Sequence, residues 1–235
     1  MGRTAFSLRL LGALVTGAAA GAPALADEPP PAWLVFGGLS AGADYAATYA
    51  GAIAAPSRDL WAPGLRLRPA FTAGFYRAGA KGARRTVPFA TGALMAGYQL
   101  AAGDVSLALY GGAEAVHFAR ADPPHYSAGW HLGAKVLAEA SLPVGDRGTL
   151  DGHVAYSTAL GRLEVGGKLL SRLAGSWQLG PAAAYFDKPD GSDLRLGLAL
   201  ARRGERSGLS ASAGLSLDQD KGASPYLTIG FDQSF

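Results

Sequence analysis

The chain has 235 residues, of which 49% are hydrophobic and only 17% charged, below the roughly 25% charge usual in soluble domains. It contains no cysteine and no asparagine. That excludes disulfides, cysteine-ligated zinc or iron–sulfur centres, thiol nucleophiles and N-glycosylation sequons.

The first segment, MGRTAFSLRLLGALVTGAAAGAPALADEPPP, carries Arg3 and Arg9 ahead of an apolar run from Leu10 to Ala20. The small-x-small triplet Ala24-Leu25-Ala26 follows, then an acidic, Pro-rich stretch. This pattern predicts a Sec-type secretory signal peptide over residues 1–26, with the mature domain over 27–235. The apolar run is shorter than the ~20 residues a membrane-spanning helix needs. The segment holds two arginines and no acid, so its removal lowers the formal net charge from +3 to +1. Nothing in that balance calls for nucleic acid. The remaining basic pairs, Arg84-Arg85 and Arg202-Arg203, read as loop or turn charges.

From Trp33 onward the recurrent signal is period two. WLVFGGLSA and ATYAGAIAA are irregular strands. In GLRLRPAFTAGFY, Leu65, Leu67, Phe71 and Phe75 face one way and Arg66, Arg68, Thr72 and Tyr76 the other. VPFATGALMAGYQL is less regular. DVSLALYGGAE sets Val105, Leu107 and Leu109 against Ser106, Tyr110 and Glu114. WHLGAKVLAEASL alternates Trp130, Leu132, Val136 and Leu142 with His131, Lys135, Glu139 and Ser141. TLDGHVAYST opposes Leu150, Val154 and Tyr156 to Asp151, His153 and Ser157, and RLEVGGKLL opposes Leu163, Val165 and Leu169 to Arg162, Glu164 and Lys168. WQLGPAAAYF is followed by DLRLGLALARR, with four leucines against Arg195, and by GLSASAGLSLDQ. YLTIGFDQSF closes the chain on an aromatic residue. Gly-, Pro- and Asp-rich turn signals separate these segments, giving about twelve strands in one domain.

A soluble sandwich or lipocalin-like barrel would also alternate. Three features favour the inverse arrangement, an all-β, single transmembrane antiparallel β-barrel. First, charges stand in mid-strand on the polar face, which suits a hydrated lumen. Arg66, Arg68, Lys135, Glu139, Asp151, His153, Glu164, Lys168 and Arg195 are the candidate lumen-lining residues. Second, small residues such as Ala134, Ala138, Ala211 and Ala213 would leave a wide dry interior unfilled, whereas lipid fits around them. Third, a strand that reaches Phe235 is what barrel closure requires, because open edges in hydrocarbon are costly. Phe235 also resembles the C-terminal aromatic by which outer-membrane proteins reach their assembly machinery. With both termini periplasmic, GAKGARR, ARADPPHYSAG, FDKPDGSD and LDQDKGAS fall outside, while AAGD, PVGDRG and LAGS fall inside. The longer connections are therefore expected mostly outside.

Little in the sequence carries chemistry. His125 and Ser127 are close in DPPHYSAG, but no third residue is identifiable to orient the imidazole. His153 beside Asp151 reads as a structural lumen pair. Asp187, Asp190 and Asp193 in DKPDGSD supply oxygen ligands without the register of a calcium loop, and a Pro-Asp-Gly turn explains them. No catalytic, cofactor-binding or metal-binding residue is assigned.

WLVFGGLSAGADYAATYAGAIAAP, GLRLRPAFTAGFYRA, MAGYQLAAGDVSLALYGGAE, HLGAKVLAEASLPV, VAYST, GRLEVGGKL and LGPAAAYFD occur in this order. In them the chain resembles the BcsS cellulose biosynthesis family. At Ala182, in GPAAAYF, the family pattern leads one to expect an acid. The resemblance implies an exported, non-enzymatic outer-membrane barrel accompanying cellulose synthesis operons, mainly of alphaproteobacteria. It implies as partners outer-membrane lipid, the outer-membrane assembly machinery, and cellulose or cellulose secretion components. The alternatives are a small general porin unrelated to cellulose and, third, a lipid-modifying barrel enzyme.

The mature protein is expected to begin at Asp27. N-terminal sequencing of protein recovered from membranes checks this, and retention of Met1 would overturn the export reading.

Overall fold

The computed structural model describes residues 29–79, 85–121, 126–189, 191–219 and 222–235. The expected signal peptide lies outside them. Twelve strands follow in chain order: β1 (Trp33–Gly42), β2 (Tyr45–Ala54), β3 (Gly64–Ala78), β4 (Arg85–Ala102), β5 (Val105–Phe118) and β6 (Gly129–Val144), then β7 (Gly148–Ser157), β8 (Arg162–Ala174), β9 (Trp177–Lys188), β10 (Gly191–Arg203), β11 (Ser207–Asp218) and β12 (Gly222–Ser234). Each pairs antiparallel with its sequence neighbours, and β1 pairs with β12 to close a barrel.

Closure runs the full length of the seam, from Leu34↔Ser234 to Gly42↔Tyr226. The chain's last residue takes part. Phe235 donates its N–H to the Trp33 carbonyl at 2.8 Å, and its own carbonyl accepts from Ala32 at 2.7 Å and Trp33 at 3.1 Å. The C-terminus is ordered because the first strand needs a partner to its end.

Paired residues in an antiparallel sheet share a face, so the registers propagate one inside–outside assignment around the whole ring. Side chains from non-neighbouring strands can meet only within a closed barrel. Arg68 on β3 reaches Glu139 on β6, and this fixes the polar face as the interior. The opposite face is outside. Leu132, 78% exposed, and Leu94, 65% exposed, are leucines that would be misplaced in water. Among the described residues, the charged side chains on outward registers, Arg77, Asp187 and Arg202, all stand at strand ends. Most outward aromatics gather at two levels, Trp33, Tyr98, Trp177, Phe231 and Phe235 near the termini and Phe75, Trp130 and Tyr185 near the far end, with Phe71 and Tyr156 between them. An apolar band between two aromatic girdles is the surface of a lipid-embedded barrel.

Two features differ from expectation. The connection over residues 55–63 lies at the termini end yet is among the longest in the barrel. It is folded against the rim rather than loose. Asp59 Oδ1 accepts the Trp61 N–H at 2.8 Å and the Ala62 N–H at 3.1 Å, Leu60 N–H donates to the Pro31 carbonyl at 2.8 Å, and Leu60 is buried. Arg58 adopts a left-handed φ of 61° to make the bend. The second difference is inside. At the far end Ala78, Val87, Val116 and Phe118 form a buried apolar cluster with Tyr76, Phe89, Tyr126 and Leu160 packed on it. Part of the interior is therefore apolar, where the mid-strand charges of the polar face pointed to a hydrated lumen.

Substituting Val136→Arg or Leu198→Arg should impair membrane assembly, because arginine at the lipid midplane costs about 2–4 kcal/mol. Lys168→Ala, inside, should insert like the wild type. Heat-modifiable mobility of the membrane fraction reads the difference, and equal behaviour would refute the face assignment.

Candidate functional site

The nine candidate lumen residues all fall on inward registers, but the structure divides them into groups with different work. Arg66 stands apart from any polar path. It is fully buried, and its guanidinium donates to the carbonyls of Leu60 at 3.0 Å and Leu65 at 2.9 Å, to Ala62, and to Gln99 Oε1 at 3.1 Å. Those carbonyls belong largely to the 55–63 connection. Arg66 fastens that loop under the barrel, a role its alternation with leucines could not reveal.

At mid-height Arg68 pairs with Glu139 at 2.6 Å. Its guanidinium carbon also lies 4.8 Å from the Phe36 ring centroid on β1 and 5.3 Å from Tyr110 on β5. One side chain from β3 thus ties together β1, β5 and β6. Phe36 can lie flat because its neighbour across the strand is Gly51, where a Cβ would collide with the ring edge. Next to this set, His153 Nε2 meets Glu164 Oε1 at 3.1 Å, and Arg162 donates to the other Glu164 oxygen at 2.8 Å. Asp151 pairs with Lys168 at 3.7 Å, accepts Ser141 Oγ–H at 2.7 Å, and binds Arg203 of β10 across the interior.

Lys135 meets Glu114 at 2.9 Å, and Ser157 Oγ–H donates to the same carboxylate. Glu114 is only 3% exposed. Removing one partner of such a pair leaves a buried charge uncompensated, typically at about 3–5 kcal/mol. Arg195, finally, bonds Asp193 at 3.0 Å, and Asp193 accepts from Ser216. The guanidinium stacks 4.5 Å from Tyr45, 4.5 Å from Phe186 and 5.8 Å from Tyr226. Gly197 makes room for Tyr226, whose hydroxyl would stand 2.7 Å from a Cβ at that position.

The partners Glu114 and Arg162 and the rings of Phe36, Tyr45, Phe186 and Tyr226 were not singled out from sequence as site residues; Asp193 was weighed only in the DKPDGSD turn, and Arg203, read as a loop or turn charge, is the last residue of β10 and pairs inward with Asp151. Their inward phase was a signal for some of them; their mutual contacts come from strands far apart in the chain. Ala182, where an acid was expected, faces inward directly opposite Lys168. An acid there would compete for the lysine that Asp151 now engages.

The structure describes some of the residues weighed for chemistry. His131 Nε2–H donates to the Ser127 carbonyl at 2.9 Å, and His125 lies outside the described residues. His117 faces outward, with its ring centroid 4.9 Å from that of Trp130. Asp187 and Asp193 stand on opposite faces of the sheet, and Asp190 lies outside the described residues. Among the described residues, no three His, Asp or Glu side chains are grouped to hold a metal.

The solved structures this barrel is similar to share its architecture at low identity. The KdgM porin matches at TM-score 0.53 and 8% identity, covering 86% of this chain and 99% of its own. An outer-membrane channel from Pseudomonas putida F1 matches at 0.53 and 13%, covering 88% and 97%. LpxR from Salmonella typhimurium matches at 0.53 and 11%, covering 86% and 100%. These likenesses establish the outer-membrane barrel fold and nothing finer. No curated protein matches. The family model described as cellulose biosynthesis protein BcsS matches residues 34–235, from the second residue of β1 to the end of the chain. By that match over the entire barrel, the chain belongs to the cellulose biosynthesis protein BcsS family.

Proposed function

We propose that this protein is a non-enzymatic outer-membrane accessory of bacterial cellulose biosynthesis, exported by its N-terminal signal peptide. The observation that carries the reading is the extent of the family match, residues 34–235, which coincides with the closed barrel itself. Whatever the family does, it does with this barrel. In this reading the termini end faces the periplasm, and outer-membrane lipid surrounds the apolar band. Partners among the cellulose secretion components, or the glucan itself, meet the barrel ends.

The likeness to a porin and to an outer-membrane channel supports one second reading, a small general pore unrelated to cellulose. Deleting the gene separates the two. Loss or mislocalisation of cell-associated cellulose, with unchanged uptake of small solutes, is expected for the accessory. Normal cellulose with reduced solute uptake would instead establish the pore.

Phe235 enters the proposal as part of the assembly signal on the closing strand. Its side chain is 61% exposed on the lipid side, while its backbone completes the seam. Deleting Phe235 should lower the amount of heat-modifiable barrel in the membrane without lowering export to the periplasm, because an unclosed edge cannot be satisfied by lipid. Phe235→Tyr should be tolerated and Phe235→Asp should not. Equal insertion of all variants would show that the aromatic is dispensable.

A further inference from the structure

The interior contacts have a consequence for what the barrel can pass. We infer that the lumen is barred by side chains, with Arg68 and Arg195 as the principal bars, so that the barrel conducts no glucan chain and serves cellulose biosynthesis from its ends and surface. This rests on the proposed function only for the word cellulose; the closure itself stands on geometry.

Arg195 starts on β10 and stacks on Tyr45 of β2, four strands away through β11, β12 and β1. Four strands of twelve is a third of the circumference, and the chord across that arc is nearly the full width of the barrel. Arg68 on β3 reaches Phe36 on β1 and Glu139 on β6, filling the neighbouring sector. Arg203 and Asp151 span β10 to β7 nearer the termini. The apolar cluster around Val87, Val116 and Phe118 occupies the far end of the β3–β5 side, with Tyr126 hydrogen-bonded to the Leu160 carbonyl at 2.9 Å as its cover. Every sector of the ring therefore has a side chain crossing in front of it at some level.

The bars are in contact. A guanidinium carbon 4.5 Å from a ring centroid stacks on that ring and leaves no gap for a pyranose. The charges argue the same way. A conducting constriction presents unpaired charge or carbonyls to the permeating species. Here Arg68, Lys135, Glu139, Asp151, Glu164, Lys168 and Arg195 each face an opposite charge. Apart from the buried Arg68 Nε, which has no hydrogen-bond partner, these groups are paired, and paired networks rigidify an interior.

The test uses full-length mature protein reconstituted in liposomes and planar bilayers, with heat-modifiable mobility reporting the fold of each variant. Wild type should give no swelling in glucose or cellobiose and little ion conductance. Arg68→Ala combined with Arg195→Ala should raise ion conductance well above the wild-type level, because it removes the two side chains that cross the lumen. Arg202→Ala, outward at the rim, should leave it unchanged. Cellobiose-dependent swelling by the wild type would overturn the inference outright, whatever the variants do. A folded double variant as silent as the wild type would overturn the assignment of the two arginines. Neither result bears on whether gene deletion alters cellulose, so failure here and failure of the functional reading are distinguishable.

Discussion

The hydrogen-bonded closure of β1 against β12 is the condition on which the rest depends. In hydrocarbon an unpaired N–H or carbonyl costs several kcal/mol, and an open sheet has a row of them along each edge. The ring of twelve antiparallel pairings removes both edges. Once the ring is closed, alternation along every strand is translated into two continuous surfaces, one facing lipid and one facing inward. The outward surface can then be leucine, valine and alanine without penalty, and among the described residues the charges on that side are confined to strand ends.

Closure also creates the problem that the interior solves. Charged residues sent inward sit at low effective dielectric, where a lone charge is expensive and a paired one is held firmly. The barrel answers with pairs between strands that are not neighbours, such as Arg68–Glu139 and Arg203–Asp151, and with arginines laid on aromatic rings. The rings themselves need glycine beside them to lie flat, at Gly51 and Gly197. Glycine, aromatic and arginine thus form successive layers from wall to axis. This gives part of the chain's glycine content a packing reason beyond turns.

Such an interior bears on how a BcsS barrel can serve cellulose biosynthesis. The fold is shared with a porin and a channel, yet likeness at 8–13% identity leaves the lumen free to differ. In this chain the mid-strand charges Arg68, Lys135, Glu139, Asp151, Glu164, Lys168 and Arg195 are spent on opposite charges and aromatic faces. Interaction is then concentrated at the two ends. At the end that bears the termini, Arg66 clamps the 55–63 connection against the rim and Trp61 is left exposed on it.

Much of this was legible in the sequence, because alternation is a local property. The phase of GLRLRPAFTAGFY or WHLGAKVLAEASL assigns each side chain to a face without knowledge of its neighbours, and the strand through Phe235 signals closure. The family could be read in the same stretches. What alternation cannot supply is distance across the ring. Arg66 and Arg68 are two residues apart on one strand and identical in phase, yet one staples a loop and the other bars the lumen. Glu114 looks like an ordinary polar-face residue, and Asp193 like part of a turn, until Lys135, Ser157, Arg195 and Ser216 are brought beside them. The sequence by itself determined the strands, their faces and the lipid-compatible surface. Only the closed ring decided which inward side chains meet, since those meetings join strands separated by up to about 150 residues of chain, as Tyr45 and Arg195 are.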